Sequence, residues 1–132
     1  MLVLVDTSIW VDLFSKKPSC KLTETDLERV ATCPPIVQEI LQGISNDSVR
    51  QDIKDRLLGL PSLAESVLVE DYIAASELFV AGRKKGLTIR SSIDCLIAAI
   101  AIKKNVPVWH KDRDFENIAA FTTLRTLRGK QL

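Results

Sequence analysis

The chain has 132 residues, of which 46% are hydrophobic, and its 18 lysines and arginines nearly balance 17 aspartates and glutamates to give a net charge of +1. This length fits one globular domain spanning residues 1–132, and the apolar and charged fractions exclude intrinsic disorder. The longest uninterrupted apolar run, residues 95–102, falls far short of the roughly twenty residues that cross a bilayer. The N-terminus lacks a basic, cleavable leader, so the sequence predicts a cytoplasmic protein that does not bind a membrane.

The first elements in chain order are a buried strand and a helix. Residues 2–5 are wholly apolar and rich in β-branched side chains, which is typical of a strand covered on both faces. Asp6 ends this run, Thr7 and Ser8 follow as candidate helix caps, and apolar residues then recur at helical spacing through residue 14. After a loop at residues 16–22, the capping-box spacing at residues 25–28 predicts a second helix start, followed by a short extended segment at residues 30–32.

Helices dominate the middle of the chain. Two prolines and an apolar stripe predict a helix from residue 34 to about 43, and a polar helix follows at about 47–58. Residues 66–70 predict a second buried strand, and a helix at 72–85 ends at Gly86. The most apolar helix begins at Ser91 and ends near residue 105, and residues 106–109 predict a third strand. Strands alternating with helices are typical of an α/β sandwich.

Acidic side chains follow two of these strands. Asp6 comes directly after the first, and Asp112 and Asp114 come shortly after the third. In an open parallel sheet, the crevice beyond the carboxyl ends of the strands is the usual site. Asp94 lies in an otherwise apolar stretch, where a carboxylate is costly to bury without a partner. Each of these acids also has a structural explanation as a helix cap or first-turn acid, and periodicity places Glu39 on a solvated helix face.

Taken together, three or four carboxylates at one sheet edge would repel one another without a cation between them. Oxygen ligands of this kind suit Mg²⁺ or Mn²⁺. Cys20, Cys33 and Cys95 form no ligand pair, which argues against zinc, and we expect them to be buried and inert. His110 is the only histidine, and the chain has no Gly-x-Ser-x-Gly motif. Both observations argue against a nucleophilic triad. We interpret His110 as a residue that ends a strand or packs near the surface.

Four acidic blocks carry a resemblance to a known family. The blocks are Leu-Val-Asp6-Thr-Ser-Ile-Trp, Cys-Pro-Pro-Ile-Val-Gln-Glu39-Ile-Leu-Gln-Gly, Arg-Ser-Ser-Ile-Asp94-Cys-Leu-Ile-Ala-Ala and His-Lys-Asp112-Arg-Asp114-Phe-Glu-Asn-Ile-Ala. In this order they resemble the blocks of PIN-domain ribonucleases, specifically the VapC toxins of type II toxin–antitoxin systems. The resemblance covers essentially the whole chain. It implies a three-layer α/β/α sandwich with a central, mainly parallel sheet.

The resemblance also implies a catalytic site. The acids Asp6, Glu39, Asp94, Asp112 and Asp114 would gather around one or two Mg²⁺ or Mn²⁺ ions, with Asp6, Asp94 and Asp112 as metal ligands and Glu39 turned into the pocket. The implied reaction is hydrolysis of RNA phosphodiester bonds by water activated at the metal. Three hydroxyl residues would orient the acids or cap the helices that follow them: Thr7, Ser8 and Ser91.

The implied partners are an RNA substrate, a VapB-type antitoxin that holds the toxin inactive, and a second copy of the chain in a homodimer. Residues 80–132 carry eleven lysines and arginines against four acids, an imbalance that favours a polyanionic partner. The candidate phosphate contacts are Lys84, Lys85, Arg90, Lys111 and Arg113.

Two other interpretations are open on the sequence alone. A PIN-like module could bind RNA or a protein without cutting, although here every acidic block is filled. A phosphatase with Asp6 as nucleophile would resemble the haloacid dehalogenases, but those enzymes place a second aspartate two residues later, where this chain has Ser8.

Overall fold

A four-stranded sheet forms the centre of the computed structural model, which describes all of residues 1–132. Its strands are Val3–Val5 (β1), Val30–Ala31 (β2), Val108–Trp109 (β3) and Thr126–Leu127 (β4), in the order β2-β1-β3-β4 with every pairing parallel. Six helices flank the sheet: Thr7–Leu13 (α1), Pro34–Gln42 (α2), Asp47–Leu58 (α3), Val69–Lys84 (α4), Ser92–Lys104 (α5) and Arg113–Ala119 (α6). The predicted α/β/α sandwich is confirmed.

The central strand β1 sets the position of the site. Leu4 is in register with Ala31 on one side and with Val108 on the other. The residues of β1, β2 and β3 are all at most 1% exposed, as expected for strands covered on both faces. Because β1 and β3 are parallel, their carboxyl ends meet at one edge, where the backbone N–H of Asp6 donates to the carbonyl of Trp109 (3.0 Å).

Local capping accounts for most helix boundaries. Two prolines open α2, the Asn46 side chain accepts from the backbone N–H of Val49 at the start of α3, and Ser91 accepts from that of Asp94 at the start of α5. These helices lie where the sequence predicts them. Residues 94–101 of α5 are all buried, so this helix forms the middle of the core. No helix of the structure combines the length and the apolar character needed to cross a bilayer.

The strand predicted at residues 66–70 is wrong. Leu68 is the N-cap residue of α4, which begins one residue later, because the Asp71 carboxylate accepts a hydrogen bond from the backbone N–H of Leu68 (2.9 Å). Beside β2, the only further pairing is an isolated parallel bridge between Thr32 and Ser62. An apolar run of this length suits a strand and a helix start equally well, and the cap decides between them.

The helix start predicted at residues 25–28 is a single 3-10 turn, Asp26–Arg29. Its capping pair lies two residues earlier than predicted: the backbone N–H of Thr23 donates to the Asp26 carboxylate (3.0 Å), and that of Asp26 donates to the Thr23 hydroxyl (3.2 Å). The turn stays short because the backbone becomes extended at Val30 to join β2.

Candidate metal and active site

Asp6 lies at the junction of β1 and α1 and is 3% exposed. It is the N-cap residue of α1, and its Oδ2 accepts from the backbone N–H of Ser8 (3.0 Å) and from the Ser8 hydroxyl (2.6 Å). Its other oxygen, Oδ1, is buried and has no hydrogen-bond partner. The cap expected from Thr7 or Ser8 is therefore made by Asp6, and this role leaves one carboxylate oxygen available to a ligand.

Glu39 lies on α2 and is half-buried. Its Oε1 accepts a hydrogen bond from the Thr7 hydroxyl of α1 (2.9 Å). The interpretation of Glu39 as a solvated surface residue is therefore wrong, because its position off the apolar stripe of α2 turns it toward α1 and Asp6.

Asp94 completes a group of three acids. It lies in the first turn of α5 and is 5% exposed, and its Oδ2 is buried without a hydrogen-bond partner. One carboxylate oxygen from each of Asp6, Glu39 and Asp94 lies within 4.8 Å of the other two. One carboxylate oxygen from each of Asp94, Asp112 and Asp114 forms a second such group. We call Asp6, Glu39, Asp94 and Asp112 the acidic cluster.

Asp112 and Asp114 are differently engaged. Asp112 is the N-cap residue of α6, and its Oδ1 accepts from the backbone N–H of Asp114 (2.9 Å) while its side chain is 34% exposed. Asp114 is buried, and its two oxygens accept from the backbone N–H groups of Arg90 (3.1 and 3.2 Å) and Ser91 (2.9 Å). Asp114 thus ties the start of α5, where Asp94 lies, to α6.

The environment raises the pKa of three of these acids in the absence of a cation. Burial raises the pKa of Asp94 to about 9, with further contributions from the charge of Asp6, from a hydrogen bond with Asp114 and from the charge of Asp112. Burial also raises the pKa of Asp6, despite its hydrogen bonds from Ser8, and that of Glu39. Protons held in this way are readily exchanged for a metal ion.

The donor set fits a hard divalent cation. Buried polar atoms without a partner are rare in proteins and call for an explanation, and here two of them, Asp6 Oδ1 and Asp94 Oδ2, belong to neighbouring carboxylates. All candidate ligand atoms are oxygens, which Mg²⁺ and Mn²⁺ prefer. Cys20, Cys33 and Cys95 are free and buried, as predicted. The acidic cluster could therefore hold a divalent ion through oxygens alone.

The predicted basic residues separate into two groups. Arg90, Lys111 and Arg113 line cavities at the acidic cluster. Lys84 ends α4 and Lys85 follows it, and neither lines those cavities. The structure thus brings only the first group next to the acids.

His110 is buried directly after β3, with 1% exposure, so its predicted place at a strand end is right and a surface position is wrong. Its Nδ1 accepts from the backbone N–H of Asp112 (3.1 Å), which leaves the proton on Nε2, 3.0 Å from Oε1 of Glu116. The same Glu116 oxygen accepts from the Thr126 hydroxyl of β4 (3.0 Å). Sequence reasoning missed Glu116, since a glutamate six residues after a histidine forms no recognised motif.

Asp12 was also missed. Its carboxylate accepts from the backbone N–H groups of Ser19 and Cys20 (2.9 Å each), from the Ser19 hydroxyl and from the Lys111 ammonium (2.6 Å each). Lys111 and Ser19 hold the pKa of Asp12 well below its usual range. Asp12 therefore fixes both the loop after α1 and the direction of Lys111 beside the acidic cluster.

The chain is similar to known proteins in sequence and in fold. The sequence model of the PIN domain family matches residues 3–120. Ribonuclease VapC11 of Mycobacterium tuberculosis is 38% identical over 130 residues, covering 94% of this chain and 96% of that protein. Two solved structures share the fold. A VapBC-5 toxin–antitoxin structure from M. tuberculosis has a TM-score of 0.68 and 19% identity, covering 97% of this chain and 98% of that one. VapBC2 from Rickettsia felis, bound to a promoter DNA fragment, has a TM-score of 0.71 and 22% identity, covering 96% of this chain and 98% of that one.

The chain therefore belongs to the PIN domain family. Within that family its sequence resembles the VapC ribonucleases, as the four acidic blocks had indicated.

Proposed function

We propose that the protein is a divalent-metal-dependent endoribonuclease and the toxin component of a type II toxin–antitoxin module. The observation that carries this proposal is the convergence of Asp6, Glu39 and Asp94, with two buried carboxylate oxygens that no protein group satisfies. Its relatives' names, which describe VapC ribonucleases, support the same activity.

In this proposal Asp6, Glu39, Asp94 and Asp112 hold Mg²⁺ or Mn²⁺. When bound, such a cation lowers the pKa of water and stabilises negative charge on phosphoryl oxygens. The Ser8 hydroxyl donates to one oxygen of Asp6, and the Thr7 hydroxyl donates to one oxygen of Glu39. Each bond orients its carboxylate and so directs the other oxygen. Orienting contacts of this kind around a metal ligand commonly matter nearly as much as the ligand itself.

Ser91, Asp114 and His110 hold the backbone that carries the acids in place. Ser91 caps α5 at the turn that carries Asp94, and Asp114 holds the same turn through two backbone N–H groups. His110 accepts from the backbone N–H of Asp112 and so fixes that residue at the start of α6. We assign Ser91, Asp114 and His110 to positioning the acids, and leave ligation to the acidic cluster.

The decisive experiment is cleavage of total cellular RNA by the purified protein, free of antitoxin, with Mg²⁺ or Mn²⁺ and with EDTA. We expect cleavage that requires metal and is lost in Asp94→Asn. The matched control is Asp71→Asn, which neutralises another buried aspartate outside the acidic cluster and should cut RNA as the wild type does.

Two outcomes would contradict the proposal. Cleavage that continues in EDTA, or in Asp94→Asn, would show that the acidic cluster takes no part in the reaction. A folded protein that leaves RNA intact with either metal yet binds it would support the alternative of a PIN-like module that binds without cutting. Binding of Mn²⁺, followed by calorimetry, gives a second readout that does not depend on finding the correct RNA.

A VapB-type antitoxin and a homodimer complete the proposal. The solved VapBC toxin–antitoxin structures with this fold support the first partner, and the exposed apolar side chains of Val11 (63%) on α1 and of Phe14 (48%), its C-cap residue, offer a surface for it. On α4, Val69, Tyr72 and Ile73 are more than half exposed and suit a second copy. Light scattering of the toxin alone, and RNA cleavage with the antitoxin added, test the two partners separately.

A further inference from the structure

A second cavity adjoins the acidic cluster. It has a volume of about 930 Å³, and none of the residues that line it is hydrophobic. The smaller cavity over Asp6, Glu39 and Asp94 has a volume of about 510 Å³. Both are lined by Ser8, Lys111 and Asp112, so a ligand that occupies one can continue into the other.

Three guanidinium groups in the larger cavity have donors to spare. Arg90 approaches Asp112 and Asp114 only to 3.9 Å, and Arg128 approaches Glu116 only to 3.7 Å. These distances are too long for hydrogen bonds, and Arg113 lines the cavity without any ion pair. Each guanidinium carries five N–H donors in a fixed plane, so the cavity presents a dense set of unused donors.

Lys111 has a different role. Its ammonium lies 2.6 Å from Asp12 Oδ2 and 3.2 Å from the Ser19 hydroxyl. These partners already satisfy most of its charge and donors, and the hydrogen bond to Asp12 raises its pKa. The arginines, and not this lysine, are therefore the groups available to a ligand.

Arg128 is carried by backbone that is held on both sides. The carbonyl of Leu127 accepts from the backbone N–H of His110 (3.1 Å), and the carbonyl of Gly129 accepts from the indole Nε1 of Trp109 (2.7 Å). The side chain is exposed, at 74%, but its point of attachment is fixed. Preorganisation of this kind lowers the entropic cost of binding.

The chemistry of the cavity selects its ligand. Because Lys111 is paired with Asp12, three free cations, Arg90, Arg113 and Arg128, face two acids, Asp112 and Glu116, which leaves an excess of one positive charge. Guanidinium groups bind phosphate through two parallel hydrogen bonds. An acidic peptide would normally bring apolar anchors, and this cavity has no apolar lining residue to receive them.

We propose that this cavity binds phosphate groups of the single-stranded RNA that flank the bond to be cut, with Arg113 and Arg128 as the main contacts. The proposal rests on the proposed ribonuclease function and adds the path of the substrate. The RNA backbone runs from the acidic cluster past Arg90 into the larger cavity, so the enzyme holds several nucleotides on one side of the cleaved bond.

Binding measured without cleavage tests this path. Fluorescence anisotropy of a labelled single-stranded RNA of about 12 nucleotides, in EDTA and at roughly 50 to 300 mM salt, compares the wild type with Arg113→Gln, Arg128→Gln and the double variant. We expect each single variant to weaken binding about tenfold and to reduce the slope of log K against log salt by about 0.7 per lost phosphate contact. The matched control is Arg56→Gln, which removes an exposed arginine of α3 paired only with Asp52 and should change neither quantity by more than a small amount.

The outcomes separate this proposal from the proposed function. RNA affinity equal to that of the Arg56→Gln control in both cavity variants overturns the assigned path, even if the wild type cuts RNA. Stronger displacement of bound RNA by polyglutamate than by unlabelled RNA at the same charge concentration would assign the cavity to an acidic protein and overturn it as well. Arginine-dependent RNA binding without any cleavage in Mg²⁺ or Mn²⁺ would support the path and contradict the nuclease function.

Discussion

Two buried aspartates occupy the same position on two long helices and behave in opposite ways. Asp71 lies at the third residue of α4, Asp94 at the third residue of α5, and each is 5% exposed. Asp71 accepts from the backbone N–H of Leu68 (2.9 Å) and from the Lys103 ammonium (3.1 Å), and these bonds lower its pKa. Asp94 has a buried oxygen without a partner, and burial among other acids raises its pKa to about 9.

The difference shows what separates a structural acid from a functional one in this fold. The helix N-terminus favours both carboxylates, so helix position does not distinguish them. Partners do: Asp71 is satisfied by the protein itself, whereas Asp94 is satisfied only if a cation is supplied from outside. A buried acid with a strongly perturbed pKa and an unused oxygen is a candidate for function for this physical reason.

The largest expected effect is on activity. Asp94→Asn should lower the rate of RNA cleavage about 1000-fold, because several kcal/mol of charge stabilisation is lost with the ion. Asp71→Asn should cut at the wild-type rate per folded molecule. Single-turnover cleavage at saturating Mg²⁺ measures both, and an Asp94→Asn enzyme within about tenfold of the wild type would place the essential acids elsewhere.

The same two substitutions should move stability in opposite directions. In EDTA near pH 8, Asp71→Asn should lower the free energy of unfolding by about 1–2 kcal/mol, because a charged hydrogen bond is lost while Lys103, 49% exposed, can be rehydrated. Asp94→Asn should raise it by a similar amount, because at this pH the wild type must take up a proton on Asp94 in order to fold, whereas the neutral amide needs none. Urea unfolding measures both values. Destabilisation by both substitutions would show that Asp94 is as well satisfied as Asp71.

The pH dependence sharpens this contrast. Between the ordinary pKa of 3.8 and the folded value of about 9 for Asp94, the folded protein holds a proton that the unfolded chain has lost. Stability therefore falls as pH rises through this window, by at most about 1.4 kcal/mol per pH unit for one group. The lowered pKa of Asp71 has the opposite sign, so its stabilisation is present above pH 3.8 and is lost as pH falls through its folded value.

Urea unfolding of metal-free protein from about pH 4 to about pH 9 tests the sign expected for Asp94. The stability advantage of Asp94→Asn over the wild type should grow with pH across the window and shrink when Mg²⁺ is added, since a cation replaces the proton. A constant advantage at all pH values would contradict the raised pKa.

Local signals in the sequence were sufficient for most of the fold. The apolar runs, the prolines of α2, and the caps Asn46 and Ser91 act within a few residues, and periodicity detects such effects. The error at residues 66–70 has a physical cause, because a short apolar run is ambiguous until the bond from the backbone N–H of Leu68 to Asp71 is known.

The site was predictable only in part. The position of Asp6 and Asp112 after strands of a parallel sheet was enough to predict them as site residues. Periodicity alone placed Glu39 on the solvated face of α2, and only the family resemblance placed it in the pocket. Glu116 and Asp12 act through partners more than five residues away in sequence, His110 and Lys111. The contact of Asp12 with Lys111 depends on how β3 is placed beside β1, and that of Glu116 with His110 depends on how α6 folds back on the end of β3, and no local pattern encodes either.

The smallest expected effect separates an orienting group from a ligand. The Thr7 hydroxyl donates to Glu39 Oε1 at 2.9 Å, so Thr7→Val removes this bond while keeping the shape of the side chain. We expect about a tenfold loss in kcat with little change in KM for RNA, and Thr7→Ser should restore most of the activity because it returns the donor. Steady-state cleavage of one defined RNA, with the Mg²⁺ concentration for half-maximal rate measured alongside, distinguishes the two roles. Full activity in Thr7→Val together with a loss in Thr7→Ser would mean that the methyl group, and not the hydrogen bond to Glu39, supports the site.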